Sequence, residues 1–197
     1  MLDYIIIGAA QAGLSMAYEL QKLGKSFVIV DGGQKIGQSW LNRWDSLKLF
    51  TPTEFNHLEG LEFPKPKGYY PSKYEVAEYF SDYVKKFKFD VRFNTLIKNI
   101  SKENNLFYLK HDKGTYECKN VIVATGPFHT PFTPSCHQKI DDSIHQIHSN
   151  FYSNPSQLKK GNTLVVGAGD SGYQILNEIS NDFKNHTVYF SGNTKVK

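Results

Sequence analysis

The stretch Asp3–Asp31 constrains the fold of this chain more than any other, because it reads strand, glycine turn, helix, strand and acid in that order. A short apolar run, Tyr4–Ile7, leads into the turn GAAQAG at residues 8–13, and a helical pattern follows. The second apolar run, Phe27–Val30, stops at an acid. This order is typical of a βαβ unit that binds a dinucleotide. An ordinary strand, turn and helix of an α/β core is the alternative interpretation.

The positions of this turn have separate predicted roles. Gly8 permits the tight turn, and Gly13 lets the helix pack closely on the strand. The start of the helix offers free N–H groups and a positive dipole end to a pyrophosphate. Asp31, eighteen positions after Gly13, is placed to bind ribose hydroxyls. Alanine occupies the middle position, where a glycine usually lets the backbone approach the phosphates. The predicted first site contains Gly8, Ala10, Gln11, Ala12, Gly13, Asp31 and Gly32.

Composition and charge exclude several classes of function. The formal net charge is +4, and the densest basic run, at residues 85–88, fits a solvated helix end better than a nucleic-acid surface. No window approaches the roughly 18 apolar residues of a membrane span. The opening apolar run is too short for a signal peptide. We therefore expect neither nucleic acid nor membrane as a partner.

Cysteine and histidine spacing argues against a redox pair and a metal centre. Cys118 and Cys136 are 18 residues apart and form neither a CxxC pair nor a zinc spacing. Two free thiols fit a reducing cytoplasm, which is the expected location. Several histidines cluster without a carboxylate or cysteine at ligand spacing, so no metal is predicted. These histidines are His129, His137, His145 and His148.

A long loop with both tryptophans follows the acid. Residues 32–52 read GGQKIGQSWLNRWDSLKLFTP, which is too rich in glycine to predict a helix. A long ordered loop beside a nucleotide motif is usually functional. Alternatively, Trp40 and Trp44 fill the edge of the core.

This loop, defined here as the flavin loop (residues 32–52), resembles one in bacterial flavin-containing monooxygenases. That family has the pattern G-x-x-W-x-x-R-(Y/W)-D-x-L-x-L-x-(T/S)-P, and its loop lies along the ribityl chain and the isoalloxazine ring of FAD. The resemblance implies flavin contacts for Gln38, Ser39, Trp40 and Arg43, and a position close to the ring for Leu49 and Thr51.

Beyond the flavin loop the resemblance continues without a break. Ser72 and Glu75 form a capping box that predicts a helix start, within a segment similar to the family's Y-P-(S/T)-x-x-E-V. A core-facing stripe follows at helical spacing, and Phe89–Asn94 is predicted as a strand. Ile97 matches the family residue whose backbone contacts adenine. The strands Leu106–His111 and Thr115–Cys118 predict a small β-meander.

A second stretch of the resemblance ends the predicted FAD domain. Val121–Ala124 is predicted as a separate buried strand that ends in an ATG turn. In two-dinucleotide-domain flavoproteins this turn lies against the FAD. The residues of the turn are Ala124, Thr125 and Gly126.

The segment from Phe128 to Pro134 is punctuated by proline and is predicted to be a linker. Beyond it, the family fingerprint F-x-G-x-x-x-H-x-x-x-(Y/F) is matched only in part. His148 and Tyr152 fit its last two positions, whereas Asp142 and Ile144 replace the phenylalanine and the glycine.

A second glycine turn lies near residue 170 and keeps all three glycines. Val165 and Val166 supply a strand, a helical pattern follows, and Thr187–Phe190 begins another strand. The family binds FAD at the first turn and NADPH at the second. Neither an acid nor an arginine follows the last strand, which predicts an enzyme that accepts NADPH or NADH. The predicted second site contains Gly167, Gly169, Asp170, Ser171, Gly172, Asn193 and Lys195.

Taken together, these features predict an α/β chain with two nucleotide-binding domains. A Rossmann-like FAD-binding domain with a small β-meander is expected at residues 1–126, a linker at 127–161, and the start of an apparently incomplete NAD(P)H-binding Rossmann domain at 162–197. The family usually runs further, so the chain is expected to be part of a longer protein or a natural truncation.

The resemblance implies a flavin-dependent monooxygenase that uses NAD(P)H, O₂ and a small-molecule substrate, and it allows a homodimer. The cofactor supplies the chemistry, so no catalytic side chain is predicted. Two alternatives stay open: a pyridine nucleotide–disulfide reductase, which needs a redox-active cysteine pair, and a non-catalytic nucleotide-binding protein.

Overall fold

The structure of the chain is a computed structural model that describes residues 1–128, 130–182 and 185–192. The chain forms two compact units. The first comprises Met1–Leu41 and the residues from Thr51 to the linker, and the second comprises Asn42–Phe50 and the residues from Thr130 onward. The flavin loop is therefore divided between the two units. The domain boundaries given above stay a prediction.

The first unit contains nine helices and strands among its described residues. They are β1 (Leu2–Ile7), α1 (Gln11–Lys22), β2 (Phe27–Val30), α2 (Gln38–Leu41), α3 (Lys73–Phe87), β3 (Val91–Arg92), β4 (Ile97–Glu103), β5 (Leu106–His111) and β6 (Gly114–Val123). The predicted α/β class is confirmed, and β2 has the predicted bounds. Helix α1 begins at Gln11, three residues before the predicted start, so the second half of the GAAQAG segment is already helical.

Strand β1 lies inside a six-stranded sheet of order β3-β2-β1-β6-β5-β4. The strands β3, β2, β1 and β6 are parallel, whereas β5 pairs antiparallel with β4 and β6. Ile5 and Ile6 on β1 are fully buried, as is typical of a parallel strand with both faces covered. The carboxyl ends of β1, β2 and β6 share one edge of the sheet, which is where α/β proteins bind ligands.

Three strand predictions need correction. Thr115–Cys118 and Val121–Ala124 are one continuous strand, because Cys118 pairs with β1 on one side and with β5 on the other. This strand is also not buried at its end, where Val123 is 65% exposed. The predicted strand Phe89–Asn94 is reduced to β3, because Asn94 turns the backbone to a φ of 52°. Strand β4 was not predicted at all.

The flavin loop contains one helical turn, so the prediction that it excludes helix is wrong. Gly37 makes α2 possible, since its φ of 73° is in the region that favours glycine. A Cβ at this position would lie 2.5 Å from the Cβ of Ala77 on α3. The glycine therefore lets α2 approach α3 closely.

The predicted core stripe of α3 is confirmed. Tyr79 and Tyr83 are almost fully buried, and their hydroxyl groups anchor the chain that precedes the helix. The Tyr79 hydroxyl accepts from the Leu58 N–H and donates to the Leu61 carbonyl, both at 2.6 Å. The Tyr83 hydroxyl donates to the Glu59 carbonyl at 2.6 Å. These bonds satisfy polar groups that burial would otherwise leave unpaired.

The predicted capping box at the start of α3 is also confirmed, and it includes an ion pair. The Ser72 N–H donates to the Glu75 carboxylate at 2.8 Å, and the Lys65 ammonium lies 2.7 Å from the same carboxylate. Burial alone would raise the pKa of Glu75, but the lysine, the serine and the Tyr69 hydroxyl together lower it to about 2. The ionised form is thus favoured in the folded state.

A Glu75→Gln variant is expected to be less stable near neutral pH and less sensitive to acid. Because the folded pKa is below the unfolded one, the glutamate stabilises the fold fully above about pH 4.5 and loses this effect as pH falls toward 2. We expect a loss of about 1–2 kcal/mol at pH 7, reduced from the full shift by partial exposure. Urea unfolding from pH 7 to pH 3 would measure it, with exposed Glu103→Gln as the control. Parallel acid profiles of Glu75→Gln and wild type would contradict the prediction.

The second unit contains β7 (Gly161–Val166), α4 (Asp170–Ser180) and β8 (His186–Ser191). The two strands pair in parallel, and β8 is one residue longer at each end than predicted. Ile175 and Ile179 on α4 are buried. The opposite face of the sheet exposes Leu164 and Val166, at 58% and 71%. One βαβ unit therefore covers one face of its sheet and leaves the other open. Short 3₁₀ turns lie at Thr53–Phe55, Ser135–Lys139 and Pro155–Gln157.

Within the described ranges, no helix combines the length and the apolar character needed to cross a membrane. The same residues contain no group of three or more His, Cys, Asp or Glu side chains arranged to hold a metal ion. Cys118 is buried in the sheet, Cys136 is exposed, and both are free thiols.

Candidate dinucleotide-binding sites

The first glycine turn has a backbone that only glycine fits at two positions. Gly8 has a φ of 109°, and a Cβ there would lie 2.4 Å from the carbonyl oxygen of Ala124. A Cβ on Gly13 would lie 1.9 Å from the carbonyl oxygen of Gly8. No real Cβ approaches a backbone oxygen so closely, so α1 can pack on the turn only with glycine at position 13.

The alanine in the middle of the motif has a simple explanation. Ala10 is the N-cap of α1, with φ −101° and ψ −170°. This is extended backbone that any residue adopts, so the fold does not require glycine there. Gln11 and Ala12 are exposed in the first turn of α1. Helix N-terminal N–H groups and the helix dipole together favour a phosphate at this point.

The Asp31 carboxylate organises the first glycine turn through two backbone hydrogen bonds. Its Oδ2 accepts from the Ala9 N–H and its Oδ1 accepts from the Gly33 N–H, both at 2.7 Å. A carboxylate accepts about four hydrogen bonds, so acceptor capacity is left for ribose hydroxyls. The Thr95 N–H donates to the Asp31 carbonyl at 2.9 Å and fixes the backbone. Sequence reasoning missed Ala9 and Gly33, although the double glycine after the acid was a usable signal.

The second glycine turn repeats the geometry of the first. Gly167 has a φ of 115°, and a Cβ on Gly172 would lie 1.9 Å from the Gly167 carbonyl oxygen. The Gly167 N–H donates to the Ser191 carbonyl at 2.8 Å, as Gly8 donates to Val30 at 2.8 Å in the first turn. Three predicted residues of this site, Gly169, Asp170 and Ser171, are exposed at the start of α4. Asn193 and Lys195 lie outside the described residues, so their role and the relaxed NADPH or NADH preference stay predictions.

The first part of the flavin loop belongs to the first unit. Gln38, Ser39 and Trp40 lie on α2, and Trp40 keeps part of its surface exposed. Gly32 is exposed beside Leu96. Thr51, at the far end of the loop, returns to this unit, where its hydroxyl donates to the Asn56 side chain.

The middle of the flavin loop, Asn42–Phe50, belongs to the second unit. Arg43 donates to the Asn150 side chain, and the Asp45 N–H donates to the Ser153 carbonyl at 2.7 Å. Leu49 is half-buried. Trp44 is only 4% exposed, in agreement with the interpretation that it fills the interior. Its indole Nε1 is buried and has no hydrogen-bond partner among the described residues.

The fingerprint segment is anchored to α4. Tyr152 is 3% exposed, and its hydroxyl donates to the Glu178 carboxylate at 2.8 Å. Burial, and then this carboxylate, raise the pKa of Tyr152 above its usual value. The Asn150 N–H donates to Nδ1 of His148 at 3.1 Å. The two matched fingerprint positions thus serve to hold the segment.

Two predicted site residues that lie far from the first glycine turn in sequence line the same cavity. It has a volume of about 400 Å³ and lies at the carboxyl ends of β1 and β6. Ile97 and Thr125 line it, while Ala124 is tied to β1 by its N–H, which donates to the Ile7 carbonyl at 2.8 Å. Gly126 follows with a φ of 73°. The other lining residues are Ile7, Lys98, Asn99, Ile100 and Val123.

Comparison with known proteins supports this interpretation of the turns. A family model described as pyridine nucleotide-disulphide oxidoreductase matches residues 5–196. An uncharacterized oxidoreductase CzcO of Bacillus subtilis is 42% identical over 100% of this chain and 56% of its own length. A probable indole-3-pyruvate monooxygenase of Arabidopsis thaliana, YUCCA1, is 32% identical over 87% of this chain and 42% of its own. The chain thus spans about half of the length of the curated relatives it matches.

Solved structures show the same fold. A flavin-containing monooxygenase from Stenotrophomonas maltophilia superposes with a TM-score of 0.86 at 29% identity, over 98% of this chain and 58% of that one. A bacillithiol disulfide reductase from Staphylococcus aureus superposes with a TM-score of 0.82 at 20% identity, over 100% and 60% respectively. At that identity the second match shows the fold alone.

Proposed function

We propose that this chain, which belongs to the pyridine nucleotide-disulphide oxidoreductase family, is a flavin-dependent oxidoreductase of the monooxygenase type. The observation that carries the proposal is the pair of glycine turns, in each of which a Cβ on the helix glycine would lie 1.9 Å from the carbonyl oxygen of the turn's first glycine. Paired turns of this kind suit one enzyme that holds two dinucleotides. The 29% identity to a flavin-containing monooxygenase favours that chemistry among the family's reactions.

The residues of the first unit fit FAD. Gly8 and Gly13 bring the start of α1 to the turn, and Asp31 keeps acceptor capacity for ribose. The cavity beside Ile97 lies at the same edge of the sheet. NADPH or NADH would bind at the second turn, with its phosphates at the start of α4.

The chemistry would come from the cofactors. When bound, the cofactors would supply hydride transfer from the nicotinamide to FAD and transfer of one oxygen atom of O₂ to a small-molecule substrate, with the other oxygen atom released as water. The chain's own residues would bind and orient these groups and limit the access of water. No side chain of the chain is proposed as a nucleophile or general base.

The two cysteines of this chain do not form the redox-active pair that the disulfide-reductase alternative requires. Such an enzyme needs two cysteines that form and break a disulfide. Here Cys118 is buried on β6, and burial raises the pKa of its thiol, whereas Cys136 is exposed on a 3₁₀ turn. A buried thiol of raised pKa is a poor nucleophile. The structure therefore favours the monooxygenase chemistry over thiol chemistry.

The visible spectrum of the purified 197-residue chain tests the proposal. We expect the absorption bands of oxidised flavin after mild purification or after incubation with FAD, and bleaching of these bands when NADPH is added without O₂. A stable yellow protein would instead support a non-catalytic flavin-binding protein. A colourless protein, or one that releases NAD on heating, would contradict FAD at the first turn.

A further inference from the structure

One side chain of α4 binds the backbone of the flavin loop. The Gln174 amide NH₂ donates to the Lys48 carbonyl at 2.8 Å, and the Lys48 N–H donates to the Gln174 amide oxygen at 3.2 Å. Gln174 thus satisfies both backbone groups of one residue, much as a neighbouring strand would. Sequence reasoning assigned Gln174 no role, and 126 positions separate it from Lys48.

The same helix holds the loop indirectly one turn later. Glu178 accepts from Tyr152 at 2.8 Å. The segment after Tyr152 binds the loop at Asp45, whose N–H donates to the Ser153 carbonyl and whose carboxylate accepts from Asn154 at 2.8 Å. Because residues 174 and 178 are four apart, both side chains lie on one face of α4. Asn42–Phe50 is thereby fixed within the second unit at two points.

We propose that Gln174 is a positioning residue that makes the order of the flavin loop depend on nucleotide at the second turn. The inference rests on the function proposed above. Phosphates bound at Gly167–Gly172 restrain the first turn of α4, and Gln174 follows that turn directly. Restraint of the helix lowers the entropic cost of holding Lys48. By linkage, an ordered loop strengthens nucleotide binding by the same factor.

Hydrogen exchange of the Lys48 backbone amide tests the anchor without any flavin. In Gln174→Ala we expect this amide to exchange about 3- to 10-fold faster than in wild type, the effect of one lost hydrogen bond. Adding NADP⁺ should slow the exchange in wild type and leave it unchanged in Gln174→Ala. Asn177→Ala, on the exposed side of the same helix, is the control and should behave as wild type.

Flavin reduction by NADPH tests the consequence. In Gln174→Ala the NADPH concentration for half-maximal rate should rise by no more than the factor by which NADP⁺ slows the Lys48 exchange in wild type, because Gly167–Gly172 is intact and the coupling is reciprocal. The maximal rate of reduction should fall about 5- to 20-fold. Gln174→Glu keeps the oxygen that accepts from the Lys48 N–H but places a second oxygen against the Lys48 carbonyl. The maximal rate of flavin reduction in Gln174→Glu should therefore fall, but by no more than it falls in Gln174→Ala.

The outcomes separate the two claims. A wild-type chain that binds no FAD, or that NADPH does not reduce, would overturn the proposed function. A wild-type chain that is reduced, but whose Lys48 exchange ignores NADP⁺ or is unaffected by Gln174→Ala, would overturn this inference alone. A Gln174→Ala variant that loses NADPH affinity and keeps its maximal rate would also overturn it, since Gln174 would then serve binding.

Discussion

A Gly13→Ala variant is expected to be destabilised by about 3 kcal/mol or more and to lose FAD binding. The added Cβ would lie 1.9 Å from the Gly8 carbonyl oxygen and 3.4 Å from Ile6 on β1. Both the oxygen and the helix are backbone, so no side-chain rotation relieves the overlap and α1 must shift. Alanine is a better helix former than glycine by about 1 kcal/mol, which acts in the opposite direction. The steric effect is the larger of the two.

Urea unfolding and flavin titration would measure this result. Gly169→Ala is the matched control, because a Cβ there meets nothing within 4 Å among the described residues and its φ of −88° suits any residue. Its cost should be less than about 1 kcal/mol. Gly172→Ala, with the same 1.9 Å overlap as Gly13→Ala, should be as harmful in the second unit. Equal stability of Gly13→Ala and wild type would contradict the close packing of α1 on the Gly8 carbonyl.

An Asp31→Ala variant is expected to bind FAD about 10- to 100-fold more weakly, the effect of losing one hydrogen bond to a charged group. Part of the loss is indirect, because Asp31 also fixes the N–H groups of Ala9 and Gly33, which shape the turn. Asp31→Asn should lose nearly as much, since its amide nitrogen cannot accept from a backbone N–H.

Titration of the apoprotein with FAD, followed by flavin fluorescence, would give these affinities. Asp90→Ala is the control. Asp90 is an exposed acid, and among the described residues its carboxylate forms a salt bridge with Arg92. Its effect on flavin affinity should stay below about twofold. An Asp31→Ala protein with unchanged affinity for FAD would remove Asp31 from the site.

The sequence was most informative where residue type is dictated locally. The glycines at positions 8 and 13, the strand Phe27–Val30 and the capping box of α3 all followed from spacing and composition, and the structure confirms them. Predictions failed where pairing with strands distant in sequence sets the length of a strand. Strand β6 continues through Cys118 because β1 and β5 pair on either side of it, and such partners leave no local signature.

By itself, the sequence determined the two glycine turns and the acid after the first, because left-handed backbone and a helix packed onto a turn admit almost no residue except glycine. The tertiary structure alone decided which unit holds each part of the flavin loop, what Asp31 binds within the turn, and that Gln174 reaches Lys48. Such partners lie far apart in sequence, and each side chain could bond many backbone groups equally well. Only the folded arrangement of strands and helices selects one of them.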